Sequence, residues 1–168
     1  MRALSDFLWH ERDVLELLLH RLESERALLE TGRTARVPLA SREVDAALEA
    51  LDVAELARAS EAVGATSVLG LGPDATLATI AQRAPVPWGE IFDQHRTALR
   101  ELVADITALT GVRAGTSQDE DLTAIPAAER THEDPADAAV ELQLQEIGRK
   151  AATARGRVLR QGLLDFLS

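Results

Sequence analysis

Apolar residues recur every three or four positions from the start of the chain. Leu4, Leu8, Leu15, Leu18, Leu22 and Leu29 lie close to heptad spacing, with Phe7, Val14 and Leu28 beside them. This pattern predicts an amphipathic helix from about Ser5 to Thr31, with Ser5 or Asp6 as its cap and Gly32 just beyond its end. Glu11 and Glu25 interrupt the apolar seam. Leu17 and Leu19 widen it, so the helix is expected to touch more than one neighbour. After the connector GRTARVPLA, Pro38 and Ser41 are read as opening a second helix, with Ser41 as N-cap. Its apolar face is Val44, Ala47, Leu48, Leu51 and Ala54. The pattern extends towards Val63, but Gly64 weakens the later turns.

GLGPDA, from Gly70 to Ala75, is turn chemistry, and Thr76 to Ala84 reads as one short helix stopped by Pro85 and Pro87. Phe92, His95, Leu99, Leu102, Ile106 and Leu109 then give the cleanest seam in the chain. They predict a helix from Trp88 to Leu109 or Thr110, ended by Gly111. Composition changes at that point. Residues 111–134 are polar, rich in turn formers and without period, which reads as a linker. A last helix is expected from Pro135, with Val140, Leu144, Ile147, Ala151, Ala154 and Val158 on one side and Leu159, Leu163, Phe166 and Leu167 continuing the drift. Gly148, Gly156 and Gly162 weaken it, which suits a helix that orders on docking. The expected organisation is a bundle over 1–110, a linker over 111–134 and an amphipathic helix over 135–168. The fold class is all-α: an elongated antiparallel bundle or coiled coil with a mobile C-terminal helix.

Composition agrees with that class. Of 168 residues 46 % are hydrophobic but only 3 % aromatic, so Ala and Leu must build the core, as helix-on-helix packing allows. The formal charge of −10 argues against nucleic acid and anionic membrane as partners. No run approaches eighteen apolar residues, so membrane insertion is not expected. Cysteine is absent, which removes thiol chemistry. With no signal-peptide pattern at the N-terminus, the expected compartment is the cytoplasm.

Candidate chemistry is sparse. The stretch HERDV places Val14 where a second zinc-binding His would stand, and His20 follows Glu16 by four residues rather than the three of a di-iron pair. His95 lies on a helix seam, where a satisfied or rim histidine is the better reading. No nucleophile elbow or phosphate loop is present, and the acids of SQDEDL suit a solvated linker. No enzyme activity, metal or cofactor is therefore expected. What remains is the apolar tail. From periodicity alone, Leu159, Leu163, Leu164, Phe166 and Leu167 suit either an intramolecular core or a surface for another helix.

Several segments resemble a known family. LWHERDVLELLLHRLESERALLETGRT (Leu8 to Thr34) and ASREVDAALEAL (Ala40 to Leu51) resemble the actinobacterial branch of the FlgN family of flagellar type III export chaperones. VPWGEIFDQHRTALREL (Val86 to Leu102) resembles the family's Pro-Trp segment, and VLRQGLLDFL its C-terminal Leu-rich helix. The likeness covers the first 110 residues in patches. It departs at His20-Arg21-Leu22, where relatives often carry an aromatic, a Lys and a Leu.

The resemblance implies a non-enzymatic cytoplasmic chaperone. Such a protein binds the C-terminal helices of hook-associated proteins, those of the hook–filament junction, and prevents their premature assembly. It then hands them to the flagellar export apparatus. It also implies a C-terminal cargo face, here Val158, Leu159, Leu163, Phe166 and Leu167. A homodimer is one way to hide such a face without cargo. The competing expectation is a coiled-coil adaptor or structural protein whose tail is ordinary core.

Overall fold

The structure, a computed structural model, describes residues 1–116 and 161–168. Among them it is all-α and contains no strand. Five helices are present: α1 (Arg2–Glu30), α2 (Val37–Val68), α3 (Leu77–Arg83), α4 (Trp88–Thr116) and α5 (Gln161–Leu167). A 3-10 turn at Thr34–Arg36 joins α1 to α2. Helix α1 packs against both α2 and α4, α3 packs on α4, and α5 rests on α3 and α4. Cross-contacts pair Glu25 with Ser41, Arg21 with Glu43 and Glu11 with Arg58, so α1 and α2 run antiparallel.

The heptad reading of α1 explains its burial. Leu4, Leu8, Leu15, Leu18 and Leu22 are at most 1 % exposed. Because Leu4 belongs to the seam, the helix begins earlier than the sequence signals suggested, at Arg2. Ser5 therefore does not cap it. Its amide bonds the Met1 carbonyl, and its hydroxyl crosses to α4. At the other end Gly32 adopts φ 67°. The amides of Gly32 and Arg33 return to the carbonyls of Leu29 and Leu28, the paired bonds of a Schellman stop.

Helix α2 starts four residues before Ser41, with Pro38 in its first turn where a missing N–H costs nothing. Ser41 is thus inside the helix and buried, and it gives its hydroxyl proton to Glu25 instead of capping. The helix also passes through Gly64 to Val68 and stops at Gly70, φ 65°, with the same pair of returning bonds. One glycine costs about 1 kcal/mol, less than the surrounding contacts of Ala62, Ala65 and Thr66 supply. The short helix α3 forms where expected, and Thr76 caps it: its Oγ accepts from the Thr79 amide.

Helix α4 buries Phe92, His95, Leu99, Val103, Ile106 and Thr110, leaving Leu102 and Leu109 half-buried. The drift by one residue along the seam is that of an ordinary 3.6-residue helix against a 3.5-residue repeat. Gly111 does not end α4, which continues to Thr116. The first residues of the expected linker are therefore helical, because a helix already paid for by earlier turns propagates through a single glycine. Residues 117–134, and the expected helix up to residue 160, lie outside the described residues.

Gly64 sits in open space on the exposed side of α2, with no heavy atom near the position a Cβ would take. Gly64→Ala should stabilise the chain by about 1 kcal/mol through helix propensity. Urea unfolding followed by circular dichroism measures this; a loss of stability would mean that the glycine serves a contact.

Candidate helix-binding site at the C-terminal tail

Two of the five tail residues expected to bind cargo enter the chain's own core. Leu163 and Leu167 are each 1 % exposed and join the same cluster as Leu8, Leu51, Ile80 and Ile106. Phe166 is half-buried, while Leu164 faces outward. Val158 and Leu159 lie outside the described residues. The structure thus brings Leu163, Phe166 and Leu167 together on one side of α5, with the i, i+3, i+4 spacing of a helix face.

Beneath Phe166 is a group that periodicity did not single out. The Arg58 guanidinium lies 4.3 Å from the Phe166 ring centroid, in cation–π range. The same guanidinium pairs with Glu11 at 2.8 Å, and both side chains are buried. Burial pushes the Glu11 carboxyl above its usual range, and the charge and hydrogen bond of Arg58 pull against that shift. The signal for this pair is present in the chain. Glu11 occupies the heptad register of Leu4 and Leu18, and Arg58 that of Val44, Leu51 and Ala65. An acid and a base at seam positions of two antiparallel helices are expected to meet, but only the α1–α2 register says that these two do.

A second buried polar contact joins α1 to α4. His95 Nε2 lies 3.1 Å from Ser5 Oγ, and the His95 ring meets Trp9 edge-on at 5.0 Å. Arg12 covers the other part of Trp9 at 4.3 Å. Burial first, and the Arg12 charge second, hold the His95 pKa down to about 4. Ser5 and His95 have the atoms of a nucleophile and its base, but His95 Nδ1 has no hydrogen-bond partner and both residues are buried. With no orienting acid and no room for substrate, the pair acts as a structural bridge. The reading of His95 as a satisfied seam histidine holds at Nε2. Among the described residues no three His, Asp or Glu side chains are placed to hold a metal ion, and no helix is long and apolar enough to cross a membrane.

Beside the docked tail is an open hollow of about 690 Å³. One wall is Leu56, Ala59 and Val63 of α2, and the other is Leu163 and Phe166 of α5. Leu56 and Val63 are 75 % and 54 % exposed. No family model, curated protein or solved structure matches the chain.

Two predictions test this arrangement. Arg58→Met leaves Glu11 buried without its cation and should cost about 3–5 kcal/mol, whereas Glu11→Met with Arg58→Met should recover most of that loss. Thermal melts of both variants decide it; equal destabilisation would mean that the pair's charges do not compensate each other. For His95, the folded pKa lies below the ordinary 6.5, so the unfolded chain takes up the proton first. Stability should therefore fall as pH drops from about 6.5 to 4, by on the order of 3 kcal/mol from this residue. His95→Gln should flatten that part of the curve in urea titrations at several pH values.

Proposed function

We propose that the chain is a helix-binding chaperone of the FlgN type, taking the C-terminal helices of hook-associated proteins and presenting them to the flagellar export apparatus. The observation that carries this reading is an amphipathic helix, α5, seated on the bundle through Leu163 and Leu167 beside an apolar hollow that is still open. A surface that accepts one amphipathic helix has the chemistry to accept another. The ordered segments with the family's pattern, from Leu8 to Thr34, Ala40 to Leu51 and Val86 to Leu102, support it independently. On this reading Leu163, Phe166 and Leu167 change partners when cargo arrives, leaving the chain's own core for the cargo helix, and Val158 and Leu159 belong to the same cargo face. Cargo affinity is then reduced by the free energy of undocking the tail, which favours release at the export gate.

The burial of Leu163 and Leu167 favours a second reading, an adaptor or structural helical protein whose tail is a permanent part of the core. Calorimetry separates the two. The intact chain is titrated with C-terminal segments of the hook-associated proteins of the same genome, and Phe166→Asp is compared by calorimetry and circular dichroism. The chaperone reading expects stoichiometric binding, weakened at least about tenfold by Phe166→Asp with α1–α4 still folded. Absence of binding by the intact chain would leave the adaptor reading.

A further inference from the structure

The outer side of α2 carries a straight stripe that the core does not use. Asp45, Glu49, Asp52, Leu56, Ala59 and Val63 follow one another at spacings of four and three, so they fall on one line along the helix. From Glu49 to Val63 that line is about 21 Å long at 1.5 Å per residue. Its first half is acidic and its second half apolar. The apolar half forms the α2 wall of the hollow, and Phe166 forms the wall opposite. Asp52 and Glu55 of α2 also line the hollow, as do Asp74 and Asp165 from outside α2. Asp74, Asp165 and Glu49 are exposed, while Asp45, Asp52 and Glu55 make further interactions of their own. Among the described residues the cation lining the hollow is Arg58, which is buried and committed to Glu11 and Phe166.

A groove with an apolar floor and acidic shoulders selects against a second copy of this chain. Antiparallel pairing of two α2 helices through the stripe would set the acidic half of each on the apolar half of the other. Parallel pairing would set Asp45, Glu49 and Asp52 against themselves. Both leave carboxylates facing apolar surface or like charge. The complementary surface is a helix with an apolar seam and lysine or arginine beside it.

We propose that the groove between α2 and the C-terminal helix is the seat of a basic amphipathic helix from another protein, held by Leu56, Ala59, Val63 and Phe166 and flanked by Asp74 and Asp165. This rests on the reading that the chain binds amphipathic helices, and it adds a second seat for one and the charge that helix carries. The tail remains docked and supplies a wall of the groove, so this seat requires no exchange of Leu163 and Leu167.

The test uses the intact chain and two labelled, designed amphipathic peptides with the same leucine seam, one with Arg and Lys on its flanks and one with Glu. Fluorescence anisotropy should show binding of the basic peptide, weakening as salt rises, and at least about tenfold weaker binding of the acidic one. Leu56→Glu with Val63→Glu should lower the affinity for the basic peptide at least about tenfold with unchanged helicity, because both side chains are exposed in the folded chain. Equal binding of the two peptides would overturn the charge assignment, and full binding by the double variant would overturn the site. The chain's own segment before Gln161 is the other occupant to consider. A gain of about tenfold in peptide affinity on Leu144→Ser with Ile147→Ser would show that it fills the groove, and would overturn the proposal. Binding of the basic peptide through Leu56 and Val63, with no binding of hook-associated segments, would keep the groove and remove the export reading. Binding of those segments that ignores Leu56→Glu with Val63→Glu would keep the export reading and remove the groove.

Discussion

The buried pair of Glu11 and Arg58 is where three elements of this protein meet. Glu11 comes from α1 and Arg58 from α2, and the guanidinium lies over the ring of Phe166 of α5. A buried carboxylate or guanidinium alone would be costly, so each requires the other in place. The pair therefore fixes the antiparallel register of α1 against α2, as a polar seam residue does in a coiled coil. Glu25 and Ser41 make a second polar tie at the opposite end of the same interface. A one-turn slip between the helices would leave both acids in an apolar seam.

The position of the tail follows from that register. Leu163 and Leu167 complete the apolar core, and Phe166 closes over a cation that burial has already oriented. Three residues from an apolar helix face thus find two kinds of partner, aliphatic and cationic. Phe166 is only half-buried at the edge of that core, and this is the physical basis for proposing the tail as exchangeable. The adjacent groove needs no exchange, since its α2 wall already faces outward. The two proposed sites place different demands on a partner: the tail's receptor surface would take an apolar helix, and the groove one with basic shoulders.

The helical elements were legible because heptad-spaced leucines leave few alternatives. The seams of α1, α2 and α4, the stop at Gly32, the turn from Gly70 to Ala75 and the short helix after it all follow from local chemistry. Expected boundaries differ from the structure where a local signal competed with a distant contact. Ser5 and Ser41 are good caps by type, yet each spends its hydroxyl on a residue far along the chain, His95 and Glu25. Gly64 and Gly111 are good breaks by type, but a long helix with partners on its apolar face crosses a single glycine at little cost. The candidate site was legible in part. Leu163, Phe166 and Leu167 share a face by spacing alone, whereas Arg58 and Glu11 appear only as polar residues at seam positions.

What the sequence determined by itself is the class of structure and the polarity of each helix, because helical period, capping and turn chemistry act over a few residues. The tertiary structure decided the partners. It set Glu11 against Arg58, His95 against Ser5, and the tail against the core rather than in solvent. Such pairings depend on which faces of separate helices come together. Any apolar seam can pack against any other, and the choice is made by polar residues whose charges and hydrogen bonds are satisfied in one register.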